Sequence, residues 1–384
     1  MPPDSSAPAP RPRRRRLRVS LRGLMALVLV AGGGLGWQVH RVRTQREAVA
    51  AIRAAGGNVG YDFQFTDSEW MMRNPAAEPP APRWLRRWLG DDWFQTTVTV
   101  GMPEVTSPEF LAAIGRLGDL RTLFLSDAGT AGDGWPALTK LTRLEAVHLS
   151  GAGVSGSAMA ALASIPSLRS VSLFNAPVTD EQFAPLAGLP ALRTLSLTNC
   201  RALTDEGMAR MLSRTQSSLE GAHLSEHPGP LRETARALGR HHPNLTQLGL
   251  RDSPIVDADL VSLGDLARLE VLDLGRTAVT DAGTDHLARL QQLKSLNISF
   301  TGITDGGLKA VGLLRSLTDL DLSFTGIGDG GLPELRGLGR LKELFLLDTA
   351  ATPRGVAALQ ATMPRTTIGH STRNRPRTTP TSSR

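Results

Sequence analysis

The chain has 384 residues and a formal net charge of +7, yet only one cysteine, Cys200, so an internal disulfide framework is excluded. The basicity sits in the tails: residues 1–22 carry seven Arg against one Asp, and residues 365–384 carry five Arg and no acid. That leaves the body of the chain at −4, which argues against a phosphate-tracking surface and hence against a nucleic-acid partner.

Residues 1–22, rich in Pro, Ser and Arg, read as a disordered basic tail. Residues 23–39 (GLMALVLVAGGGLGWQV) come next with no charge, at the short end of what crosses a bilayer, and Trp37 sits where an interfacial aromatic belongs. The segment is expected to be a transmembrane anchor. A cleaved signal peptide and a buried helix are its alternatives. Seven Arg precede it and Arg41, Arg43 and Arg46 come after it, so the N-terminus is expected in the cytoplasm and the rest outside. If the segment is cleaved, the product would be secreted or periplasmic.

Residues 40–97 read as a membrane-proximal helix, a strand and a cap. Ala48, Val49 and Ile52 share one face of a helix over 45–55 that Gly56-Gly57 would stop. Val59, Tyr61, Phe63 and Phe65 alternate with Gly60, Asp62 and Gln64, the period of a half-buried strand. Trp84, Leu85, Trp88 and Leu89 make a short amphipathic helix, expected to cover the open end of the fold that begins at residue 98 or, alternatively, to lie on a membrane.

From residue 98 the chain repeats. LKSLNISFTGITDGGLKAVGLLRS (293–316) and LTDLDLSFTGIGDGGLPELRGLGR (317–340) match position by position. The first leucine of an L-x-x-L-x-L pattern recurs at Leu120, Leu144, Leu168, Leu192, Leu219, Leu245, Leu269, Leu293, Leu317 and Leu341. The spacing is 24 residues except for 27 before Leu219 and 26 before Leu245. Such units must stack, because none can bury its apolar face alone. In each, leucines at period two point inward and the intervening residues outward, Ser295, Asn297 and Ser299 in one unit. Thr179, Thr204, Thr280 and Thr304 should cap the helices after them. Asp180, Asp205, Asp281 and Asp305 then stand at the first helical position, favourable against the dipole, and Thr352-Pro353 fits the same slot.

This pattern resembles the leucine-rich repeat family. LRTLSLTNCRALTDEGMARM (192–211) looks like its cysteine-containing T-D-x-G-L subclass. The resemblance implies an α/β horseshoe solenoid over 98–368, with parallel strands on the concave face and short helices on the convex one. A hydrophobic helix precedes it, and a disordered basic tail over 369–384 ends the chain. The order of Q-R-E-A-V-A-A-I-R, G-G-N-V-G-Y-D and W-L-R-R-W-L-G-D-D after a hydrophobic segment resembles membrane-anchored leucine-rich repeat proteins of planctomycete-type bacteria.

Chemistry is hard to find. Gly151-Ala-Gly153-Val-Ser-Gly156 matches G-x-G-x-x-G but occupies the turn slot of a repeat, which disfavours a dinucleotide site. The histidines lack metal-ligand spacing, and Cys200 aligns with Thr277, Thr301 and Thr325 as a structural loop residue. No catalytic residue, metal, cofactor or small-molecule substrate is expected. The period breaks at 214–217 and 226–230 are either a partner site or drift between repeats. What remains is surface. The outward strand positions Phe124, His148, His223, Asp273, Asn297, Asp321 and Phe345 are candidate protein-binding residues, with Ser172, Ser196 and Gly249 between them. Phe174, Arg251, Arg276, Phe300 and Phe324 are further candidates beside them. Phe300 and Phe324, one repeat apart, should stack, as a hot spot or as a packing ladder. The expected function is non-catalytic protein binding through the concave face. The alternative, a substrate adaptor of a ubiquitin ligase, needs an F-box ahead of the repeats, and residues 40–97 show no such helical module.

Overall fold

The computed structural model describes residues 21–65, 74, 76–102, 107–126, 132–216 and 218–372. The basic tail expected over 1–22 lies outside them but for its last two residues, as do residues 373–384.

Thirteen strands form one sheet in sequence order. They begin with β1 (Asn58–Tyr61), β2 (Thr97–Met102), β3 (Thr122–Leu125), β4 (Ala146–Ser150), β5 (Ser170–Phe174) and β6 (Thr194–Thr198). They continue with β7 (Gly221–Ser225), β8 (Gln247–Gly249), β9 (Val271–Asp273), β10 (Ser295–Asn297), β11 (Asp319–Asp321), β12 (Glu343–Thr349) and β13 (Thr367–Thr372). β1 pairs antiparallel with β2, and every later pair is parallel. Leu272, Leu296, Leu320 and Leu344 stand side by side in register and are at most 1% exposed. The stack is therefore one continuous apolar core, each turn closing its neighbour's.

Convex segments are either α-helix, such as Asp281–Leu287, or 3₁₀ turns, such as Leu332–Gly337. A 24-residue unit leaves few residues for the return, and short pieces tolerate the tighter winding. The two long steps hold the longest repeat helices among the described residues up to that point, Asp205–Arg214 and Arg232–His241. The extra residues become packed helical turn rather than open loop.

The threonines cap as expected. Thr204 Oγ1 accepts from Gly207 N at 3.0 Å and Thr352 Oγ1 from Gly355 N at 3.1 Å. The aspartates do more than answer a dipole. Asp281 takes the Thr304 N–H at 2.7 Å on one oxygen and the Thr304 hydroxyl on the other, and Asp257 and Asp329 treat Thr280 and Thr352 in the same way. Each carboxylate thus stitches its repeat to the next through charge-assisted bonds. The paired bonds from Thr352 hold the Asp329 carboxyl below its ordinary value.

Several expectations need correction. The hydrophobic segment and the helix over 45–55 are one helix, α1 (Leu21–Ala54), whose C-terminal half buries Ala48, Val49 and Ile52 against the first turn of the solenoid. The strand expected through Phe65 stops at Tyr61, because Asp62 exchanges two bonds with Thr96 and Gln64 accepts the Tyr61 N–H, turning the chain into a 3₁₀ segment. Trp84 and Trp88, on α2 (Arg83–Leu89), are 69% and 79% exposed and do not cover the open end; α1 and β1 do. Ser299 does not point outward: it is 2% exposed, its hydroxyl bonded to Asn297 Oδ1, because the chain has left the strand by then. The last strand runs to Thr372, past the boundary expected at 368.

Residues 28–36 of α1 are exposed throughout. Among the described residues no helix is long and apolar enough to cross a membrane.

Candidate functional site

The outward row of the concave face is continuous. Phe124, His148, Ser172, Ser196, His223, Gly249, Asp273, Asn297, Asp321 and Phe345 are neighbours in register from β3 to β12. Two different environments share this row.

Over β3–β6 it is uncharged. The Phe124 and His148 rings stack with centroids 4.4 Å apart and planes 6° from parallel. With Phe174, 47% exposed, they wall an open depression of about 410 Å³ floored by Ser172 and Ser196. Burial pushes the His148 imidazole below its ordinary value. His223 is pushed the same way by burial, opposed by the charge of Asp273. Its ring leans over Gly249, where a Cβ would lie 2.7 Å from Nδ1, so a side chain on β8 would displace it.

Over β9–β12 the face turns acidic and apolar. Asp273, Asp319, Asp321 and Glu343 lie on it, beside Phe345 and Leu347 at 39% and 37% exposure. Asn297 and Asp321 are half-buried and turn a side-chain oxygen back to the chain, accepting from Ser299 N and Ser323 N at 2.9 Å. Their remaining polar atoms edge the face.

Along the margin where strands end, each repeat from β5 to β12 places one residue in the left-handed region. Asn175, Asn199, Glu226, Asp252, Arg276, Phe300, Phe324 and Asp348 all have φ between 53° and 57°. Each turns the chain off the sheet while its N–H continues the ladder, as Phe300 N to Ser323 O at 2.9 Å and Phe324 N to Leu347 O at 2.7 Å. Gly151, φ 96°, fills the same slot with its N–H on Phe174 O, so the G-x-G-x-x-G match is a repeat turn. Asparagine tolerates this conformation and phenylalanine does not, at roughly 1–2 kcal/mol per residue. Yet Phe300 and Phe324 occupy it consecutively and stack, centroids 4.0 Å apart and planes 11° from parallel. The Arg276 guanidinium lies 3.9 Å from the Phe300 centroid and 3.7 Å from Asp252, which Arg251 also meets at 3.2 Å. The column therefore runs carboxylate, guanidinium, ring, ring, with Phe324 37% exposed.

The candidate residues therefore form two clusters. Phe174, His148 and Phe124 lie six, seven and eight strands from Phe324, roughly 30–40 Å along the sheet. The left-handed conformation of Phe300 and Phe324 escapes a reading of periodicity, because only backbone angles expose it. The Asn175 and Asn199 that share their slot are the one signal in the sequence.

Three segments, residues 189–211, 290–312 and 314–335, match the family model described as Leucine Rich repeat. These segments are leucine-rich repeats. The other turns of the solenoid share their strand register and their buried leucines. No curated protein matches the chain significantly. Among solved structures, the chain is similar to an internalin (inlF) from Listeria monocytogenes, at 22% identity and a TM-score of 0.48, covering 69% of this chain and 71% of that one. It is also similar to TLR13 in its complex with ssRNA13 (23% identity, TM-score 0.47), covering 64% of this chain and 34% of that one. A third similar structure is a leucine-rich repeat protein from Leptospira interrogans (17%, TM-score 0.41), covering 67% and 74%.

The remaining chemistry-bearing groups serve the fold. Cys200 is 2% exposed, its thiol 3.6 Å from Leu173 O, and burial pushes its pKa up, away from nucleophilic reactivity. Thr277 and Thr325 occupy the same slot with hydroxyls donated to Leu274 O and Leu322 O at 2.6 Å. His242 is 1% exposed and accepts the Leu219 N–H on Nδ1 at 3.2 Å, so Nε2–H donates to Leu212 O at 3.1 Å. His227 Nε2 reaches Leu203 O at 3.0 Å, while its Nδ1 lies against Gly229. These two imidazoles lock the irregular 214–230 region. Among the described residues, no group of His, Cys, Asp or Glu could hold a metal ion.

Proposed function

We infer that this leucine-rich repeat protein is a non-catalytic binding module, and that its partner is a polypeptide segment carrying basic and apolar side chains, held across β9–β12. The observation that carries the reading is the Arg276–Phe300–Phe324 column, half-buried at Phe300 and open to solvent at both ends, in which two phenylalanines are kept in a conformation that disfavours them. The repeat sets the left-handed backbone at this slot, and what supports use is that phenylalanine, which it disfavours, fills it twice in a stack open to solvent at Phe324. Asp319, Asp321 and Glu343 beside it supply complementary charge, and Phe345 and Leu347 an apolar contact, the mix of anchor and rim found at binding hot spots.

Residues 23–39 are taken as the membrane anchor of this module, with the repeats outside the cytoplasm. What supports this is the uncharged run between Arg-rich flanks and the exposed, partnerless stretch of α1 over residues 28–36.

The test is capture by the full chain from extracts of the source cells, compared across variants. A partner retained by the parent and by Arg236→Ala on the convex side, but lost by Phe324→Ala and by Asp319→Asn/Asp321→Asn, supports the assignment. Loss on the convex substitution alone overturns it.

A further inference from the structure

The margin where strands begin carries a charge pattern that the overall balance of the body hides. One residue per repeat forms a backbone ladder there, Glu145 N to Arg121 O, Arg169 N to Glu145 O, Arg193 N to Arg169 O, and so on along the solenoid. Over its first turns this margin exposes Arg116, Arg121, Arg143, Arg169 and Arg193, against Asp119 and Glu145. Asp119 is already held by two guanidiniums, Arg41 at 3.0 Å and Arg143 at 2.6 Å. The opposite margin at the same level carries Asn175 and Asn199 and a single arginine, Arg201, bonded to Asn199 Oδ1.

The path of α1 gives that asymmetry a direction. Gln45 bonds the Thr97 N–H, at the start of β2, and Ile52 lies against Gly57 and Met102, at its end. The helix therefore runs alongside β2 in the same sense, and everything before Arg41 projects beyond the margin where strands begin. His40 and Arg41 line a small recess there with Arg116 and Asp119. Trp37 is 65% exposed with the Arg41 guanidinium 5.9 Å from its ring, at the point where the helix leaves the solenoid. Residues 21–40 extend roughly 30 Å further as unbroken helix.

We propose that the margin where strands begin, from Arg116 to Arg193, rests on an anionic phospholipid surface, so that the solenoid stands edge-on to the bilayer. This rests on the reading of residues 23–39 as an anchor. One rigid helix joins the two parts, so an anchored α1 brings this arginine row, and not the opposite margin with its one arginine, toward the headgroups. Basic side chains within a Debye length of anionic lipid each strengthen the contact about fivefold.

The test uses the full chain with a fluorescent probe on a single introduced cysteine, since native Cys200 is buried. Ala191→Cys places the probe on the arginine margin and Arg201→Cys on the opposite side of the same repeat. The chain is reconstituted in phosphatidylcholine vesicles, with or without about one third phosphatidylglycerol, containing a headgroup quencher. Expected is strong quenching at 191 and little at 201, present only with phosphatidylglycerol and more than halved by Arg116→Gln/Arg169→Gln/Arg193→Gln, whose melting curve should match the parent's. Equal quenching at both sites, or quenching indifferent to phosphatidylglycerol and to the arginines, overturns the proposal while the chain still floats with the vesicles. A chain that fails to float with phosphatidylcholine vesicles in high salt overturns the anchor itself, a separate result.

Discussion

His242→Ala should be among the most damaging single substitutions in the solenoid outside its leucines. The imidazole is 1% exposed and bridges two turns, accepting from Leu219 N–H and donating to Leu212 C=O, both buried. Alanine orphans the Leu219 N–H, at roughly 1–3 kcal/mol, takes one of two donors from Leu212 O, which keeps the Thr215 N–H, and leaves a void where the ring stood, so the total is about 2–4 kcal/mol. His241 is the control: it is exposed, and its alanine variant should change stability by less than about 0.5 kcal/mol. Urea denaturation of both variants, followed by circular dichroism, measures the difference, and exchange of the Leu219 amide locates it. A loss below about 1 kcal/mol for His242→Ala, with the Leu219 amide still protected, would show that the ring is not what bridges the irregular turns.

Other outcomes rest on the same structure. Leu296→Ala, in the middle of the leucine row, should cost about 2–5 kcal/mol by chemical denaturation. Asp281→Ala removes the acceptor of two Thr304 bonds and should cost about 1–3 kcal/mol, with faster hydrogen exchange at the Thr304 amide than at Thr280. Phe324→Asn exchanges a stacked ring for a residue suited to φ 57°, so stability should stay within about 1 kcal/mol of the parent while binding is lost. Burial lowers the pKa of His148, His223 and His242 in the folded chain below the ordinary 6.5, so the unfolded chain takes up protons first. Stability should therefore be full above pH 6.5 and decline as pH falls from there through the lower folded values, and His148→Gln should flatten that decline.

Period alone was enough to place the leucine core and the outward row, because stacking in register leaves a two-residue alternation no other arrangement. Caps were legible too, since threonine followed by aspartate or proline has a local physical cause. Contacts that span a repeat were not. The second role of Asp281, bonding Thr304 of the next turn, depends on how two returns pack, which no spacing encodes. The same holds for His227 and His242, whose positions look arbitrary until the longer helices at 205–214 and 232–241 bring backbone groups to both ring nitrogens. Of the site, Phe300 and Phe324 were visible as a pair, but their strained backbone and the Arg276 cap on the stack were not. The tryptophans of α2 misled because an amphipathic spacing suits an exposed face as well as a buried one.

The most direct measurement of the binding reading is the affinity of the captured partner for the full chain, by titration calorimetry, with Phe324→Ala and Asp321→Ala beside Arg236→Ala. Each of the first two should weaken binding by at least about 1–2 kcal/mol, roughly tenfold, and added salt should weaken it further for the parent. Arg236→Ala should bind as the parent does. A partner that binds Phe324→Ala and Asp321→Ala with parental affinity contradicts the assignment of this face.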